Sequence, residues 1–159
     1  VAAELKIERV DVRETIKALR RLDPEAAKEF RKGIRDVLKP VMQEIKTGYP
    51  PLPLSGFQYS WTPRSTPLLP WDVGMARKGV KLKISTRRDR NSVVYISQGY
   101  PAAIIFEAIK PSNVPMGANL RAKEPRNMWP VVDRHTAAIN SGVADLVKKA
   151  EETVERDLR

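Results

Sequence analysis

Gly99-Tyr100-Pro101-Ala102-Ala103-Ile104-Ile105-Phe106-Glu107-Ala108-Ile109 is the stretch around which the chain organises itself. Tyr100-Pro101 opens a short apolar helix or turn that runs to Ile109. Upstream, Val80, Leu82 and Ile84 alternate with Lys81, Lys83 and Ser85, the period-two pattern of a half-buried strand. Residues 92–97 form a second strand, rich in β-branched and aromatic residues. Thr86-Arg87-Arg88-Asp89-Arg90-Asn91 between them is the polar tip of a hairpin.

Downstream, residues 110–126 read as a loop carrying Pro111, Pro115, Gly117 and Pro125. Arg126-Asn127-Met128-Trp129-Pro130-Val131-Val132 then leads into a final helix that begins near Pro130. Its apolar positions are Ile139, Val143, Leu146, Ala150, Val154 and Leu158, spaced as one helical face. Trp129 reads as the residue that staples this helix start to the core.

The first half is helical. Leu5, Ile7 and Val10 make a short apolar start, an edge strand or an arm, and residues 12–22 suit a short helix. Asp23-Pro24-Glu25 is a helix start, with an Asp cap, Pro in the first turn and an acid at the positive end of the dipole. Ala27, Phe30, Ile34, Val37, Val41 and Ile45 line one face of the helix that follows. Pro40 is expected to bend it, and Gly48 with Pro50 to end it. Residues 49–76 then hold Pro50, Pro51, Pro53, Pro63, Pro67 and Pro70 together with Phe57, Tyr59, Trp61 and Trp71. That is too apolar for a flexible linker and too rich in proline for a helix. It reads as an extended loop or arm, whose aromatic residues either dock on a neighbouring subunit or wrap the chain's own core.

These elements predict a single α+β domain over residues 1–159. A small antiparallel β-sheet packs against two long α-helices, with a long Pro/aromatic-rich loop. The length supports one core. The absence of cysteine excludes disulfides and thiolate metal sites and fits a reducing cytoplasm. No apolar run approaches the ~20 residues needed to cross a bilayer, so no membrane partner is expected.

The net charge is +10, and most of it lies in the middle of the chain: residues 47–99 carry eight bases and two acids. Arg77, Lys78, Lys81, Lys83, Arg87, Arg88 and Arg90 crowd the hairpin beside a single acid, Asp89. Such a stripe suits a polyanion bound in a sequence-independent, salt-sensitive way, or an acidic protein surface. It also suits a solvated edge strand whose lysines block unwanted pairing.

Catalytic chemistry finds little support. His135 is the one histidine, it has no cysteine beside it, and no Gly-rich phosphate loop or nucleophile elbow is present. Glu107 is the one acid inside an apolar stretch. Its nearest carboxylates in sequence are Asp89 and Glu124, too far along the chain to make a local acid–base pair. It reads as a structural or interface residue meeting an arginine. No catalytic residue, metal ligand or cofactor is assigned.

The order of segments resembles the head–tail joining (neck, or tail-completion) proteins of long-tailed bacteriophages. The resemblance runs from about Val10 to the C-terminus. It rests on the hairpin, the Tyr100…Phe106-Glu107 segment and the Arg126-to-Val132 helix entry, taken in that order. It implies a structural virion protein, assembled in the host cytoplasm into a homo-oligomeric ring, hexameric in this family. The ring's neighbours would be the head connector and a tail-terminator or tail-tube protein, with double-stranded DNA passing through the channel. On that view Phe57, Tyr59, Trp61, Trp71 and Glu107 are subunit or partner contacts. The alternative is a nucleic-acid-binding domain that uses the basic hairpin 77–90 as a backbone clamp.

Overall fold

The computed structural model describes residues 2–4, 12–51, 71–86, 93–108 and 126–157. Among them run α1 (Val12–Leu22), α2 (Pro24–Gly48), α3 (Val73–Gly79), α4 (Pro101–Ala108) and α5 (Met128–Asp157), with strands β1 (Ala2–Glu4), β2 (Val80–Ile84) and β3 (Val94–Gln98). The protein is mostly helical with a small antiparallel sheet, an α+β arrangement.

β3 lies in the middle of the sheet, in the order β1-β3-β2. Its register with β2 sets Leu82 opposite Ile96 and Ile84 opposite Val94. Val94, Ile96 and Gln98 turn inward, while the alternate positions Lys81 and Lys83 of β2 are exposed. One residue of slip would exchange the two sets, so the alternation fixes the register.

α2 starts as its sequence requires. Asp23 is in extended conformation and its carboxylate accepts the Glu25 amide at 2.9 Å, with Pro24 in the first turn. The buried stripe is Ala27, Phe30, Ile34, Leu38, Val41 and Ile45. Leu38 takes the place expected for Val37, because 3.6 residues per turn carries the stripe on by four at that point. Each fully buried aliphatic side chain in it contributes about 1.5–3 kcal/mol. The helix runs unbroken through Pro40, which sits on the exposed side where a missing amide bond meets water.

Val37, half-buried, packs where α2 meets α5. A Cβ on Gly142 would meet Val37 Cγ1 at 2.9 Å, and one on Gly33 would meet Leu146 Cδ2 at 2.6 Å. Each helix thus presents a glycine to a branched side chain of the other. The two axes approach closely there, in a ridge-into-groove contact.

The segment expected to be an arm over 49–76 is anchored in the fold at both ends. Tyr49 is 1% exposed, Trp71 packs against the core, and residues 73–79 are helical. α3 forms because Asp72 caps it, accepting the Met75 amide at 3.0 Å.

Candidate functional site

α5 begins without an acidic residue in its first turn. Its first amides and positive dipole end still require a partner, since they have no carbonyl within the helix. Glu107, near the end of α4 and 1% exposed, supplies it. One carboxylate oxygen accepts the amides of Arg126 at 3.1 Å and Asn127 at 2.9 Å, and the other accepts that of Met128 at 2.9 Å. Pro130 has no amide hydrogen to satisfy, which shortens the list of donors.

The reverse contact comes from Arg126. Its guanidinium donates to the Phe106 carbonyl at 2.7 Å, at the negative end of α4, and lies 5.9 Å from the Phe106 ring centre. α4 and α5 therefore exchange charges, each helix end holding the side chain the other supplies. Glu107 is expected from sequence to be a structural or interface residue meeting an arginine; within the chain it is buried against backbone amides, that of Arg126 among them. Polypeptide amides concentrated at a helix start attract a carboxylate as a cation does, and leave no sign in the composition.

The network extends to three further elements. The Tyr49 hydroxyl donates to Glu107 at 3.1 Å and accepts from Gln98 Nε2 at 3.1 Å. Gln98 also donates to the Ala76 carbonyl at 2.9 Å and accepts the Tyr100 amide at 2.9 Å. Asn127 Nδ2 donates to the Ile45 carbonyl at 2.7 Å, one of the carbonyls that the end of α2 leaves open. Burial first, and then the negative charge of Glu107, raise the Tyr49 phenol well above its ordinary pKa.

Around this polar chain sits a ring of aromatics. Trp71 lies 5.7 Å from Phe106 and 6.3 Å from both Tyr49 and Tyr100, centre to centre, all tilted. Its indole donates to the Pro50 carbonyl at 3.0 Å, and the Tyr100 hydroxyl accepts the Asp72 amide at 3.1 Å. The sequence leaves Trp71 either at a subunit contact or wrapped on the chain's own core; within the chain it lies in this cluster, where Tyr49 and Phe106 offer it edges and faces. Phe57, Tyr59 and Trp61 lie outside the described residues.

The basic stripe divides in the same way. Arg77 and Lys78 on α3, and Lys81 and Lys83 on the edge strand β2, are exposed, whereas Arg87, Arg88 and Arg90 lie outside the described residues. Lys83 Nζ is 6.0 Å from the Tyr95 ring centre. Among the described residues no group of three or more His, Cys, Asp or Glu side chains gathers as a metal site would. His135 pairs with Glu44 across the α2–α5 contact, and Arg134 binds the other oxygen of the same carboxylate. These hydrogen bonds, that of Arg134 before that of His135, hold the Glu44 carboxyl below the usual range.

Tyr49, Gln98 and Asn127 were missed as site residues. Tyr49 and Gln98 stand beside Gly48, Pro50 and Gly99, which mark the ends of α2 and β3, and Asn127 stands just before α5 between Pro125 and Pro130; in each case the boundary was the stronger signal. Comparison with known proteins adds no relative: no family model, curated protein or solved structure matches the chain.

Proposed function

We propose that this chain is a structural subunit of a bacteriophage neck, building a ring between the head connector and the tail through which double-stranded DNA passes. The observation that carries the reading is the meeting of its two signature segments. Tyr100-to-Glu107 and Arg126-to-Val132 are separated in sequence, yet they lock to each other through Glu107 and Arg126. In this reading the segments resemble those of neck proteins because together they form the framework that holds the subunit's surfaces in place.

The work of such a subunit is assembly. α2 and α5 form the rigid body behind the sheet, the 49–76 segment reaches a neighbour through Phe57, Tyr59 and Trp61, and the exposed bases of α3 and β2 face an acidic surface or the DNA. The partners are further copies of the chain, the connector and a tail-terminator or tail-tube protein. The chain resides in the virion, after assembly in the host cytoplasm.

Light scattering on the purified protein, alone and with connector or tail-tube protein, tests this. A species near the mass of a hexamer, alone or on the partner ring, is expected. A monomer that ignores both partners but binds duplex DNA, with an affinity falling steeply with salt, would replace it by the nucleic-acid clamp. The exposure of Arg77, Lys78, Lys81 and Lys83 is what favours that second reading.

A further inference from the structure

Leu22, 55% exposed, and Met75, 49% exposed, are large apolar side chains left open to solvent on surfaces of opposite charge. Leu22 stands beside a groove between α1, the start of α2 and the C-terminal half of α5. Leu19, Ala26, Ala150 and Val154 line its apolar floor, and its α1–α5 portion encloses about 480 Å³. Glu14, Asp23, Glu29, Glu151, Glu155 and Asp157 also line it, with Lys149 the one base among them. Glu14 is held by Lys17 at 2.8 Å and Asp157 lies 3.7 Å from Arg156, and the rim stays negative with those bases counted. Arg20 does not line the groove; its charge acts on Arg31 of α2, whose pKa is lowered by burial first and then by Arg20 and Arg35.

Met75 has the opposite surroundings. Lys78 is one turn further along α3 and Arg77 lies near it; Lys81 and Lys83 follow on β2, and these four bases outnumber Asp72, whose carboxylate accepts the Met75 amide at 3.0 Å. A groove with an acidic rim and an exposed methionine on a basic collar are complementary in polarity and charge. In one chain whose net charge is +10, the acidic groove is the exception to the general repulsion between copies.

We infer that Met75 and its basic collar dock in the acidic groove beside Leu22 of a second copy of this chain. The two patches differ, so the contact is heterologous: each copy has a free groove at one end and a free collar at the other, and repetition closes a ring or extends a filament. Charge steers the encounter, and burial of Met75 and Leu22 holds it. The inference rests on the ring-subunit reading for closure and names the contact that builds the ring.

Two variants test it. Leu22→Asp spoils the groove and leaves the collar, and Met75→Asp spoils the collar and leaves the groove. By light scattering, the wild type should exceed monomer mass, more so at low salt. Each variant alone should associate about tenfold more weakly or worse. Mixed in equal amounts, they should form a one-to-one dimer and nothing larger, because only one intact contact remains in the pair. Circular dichroism checks folding. By charge, Lys81→Glu/Lys83→Glu and Glu151→Lys/Glu155→Lys should each associate weakly alone and regain larger assemblies on mixing, because the two reversed patches fit each other as the two native ones do. Wild-type mass retained by both variants, no dimer on mixing, or a wild type that stays monomeric at its highest soluble concentration each overturns the contact. If the variants still join a connector ring at hexamer mass, this contact falls and the neck reading stands.

Discussion

Asn127 lies directly over Gly48, so that a Cβ at Gly48 would run into its side-chain oxygen. Asn127 cannot withdraw without losing its bond to the Ile45 carbonyl at 2.7 Å. Helix propensity alone would make Gly48→Ala stabilising by up to ~1 kcal/mol. The contact reverses the sign, and Gly48→Ala should destabilise by about 1–3 kcal/mol, as overpacking does. Urea denaturation decides between the two; a rise in midpoint would show that Asn127 yields freely.

Removing the carboxylate of Glu107 leaves three amides and a phenol without their acceptor. Glu107→Ala should cost about 3 kcal/mol or more, and Glu107→Gln less, since it keeps one carbonyl in place. The amides of residues 126–128 report on this directly. Their hydrogen exchange should quicken in both variants well before exchange in the middle of α5 does, and unchanged exchange would mean that the cap is dispensable.

Tyr49 gives the fold an alkaline limit. Its pKa is raised in the folded state, so its contribution is complete below the unfolded value of ~10 and is lost as pH rises above it. Above that point the unfolded chain gives up a proton that the folded one keeps. The denaturation midpoint of the wild type should therefore fall more steeply than that of Tyr49→Phe between pH 9 and 11, each with its proton count of ~1 or 0 at this site. Parallel profiles would remove the phenol from the account.

Glu44 acts at the other end of the scale. Held low by Arg134 and then His135, its contribution is present above the ordinary carboxylate pKa and is lost as pH falls through the depressed folded value. The site is open to water, so the stability change should be small. The clearer readout is the carboxyl titration followed by NMR: in Arg134→Ala the midpoint should move up toward that of a free glutamate. An unmoved midpoint would assign the depression to another group.

The fold was legible wherever a local rule settles a structure. Asp23-Pro24 starts α2, the Lys81–Lys83 alternation places β2, and the apolar run after Tyr100 becomes α4. α3 escaped because six prolines in residues 49–76 outweighed the capping Asp72 at their edge. The partner of Glu107 escaped for a different reason. Side chains are written in the sequence, but the charge that binds this carboxylate belongs to the peptide backbone and exists only once α5 has formed. Trp71 shows the same limit: an aromatic residue in a proline-rich run is the same text whether it packs inward or outward.

The bond between Tyr49 and Glu107 joins residues 58 apart in the chain, and that between Asn127 and Ile45 joins residues 82 apart. Neither can form until helices from both halves of the chain have met, and closing such loops costs entropy before it gives any return. The apolar faces of α2 and α5 meet across a still longer separation, at Gly33 and Leu146, but repay it with far more buried area, so the polar chain is expected to shut after them as a latch. In a chevron, Tyr49→Phe should leave refolding nearly unchanged and speed unfolding, whereas truncating Ile34 in the α2 stripe should slow refolding. A slowed refolding limb for Tyr49→Phe would place the latch in the nucleus instead. A latch that shuts last would govern how long the chain stays folded more than how quickly it becomes so.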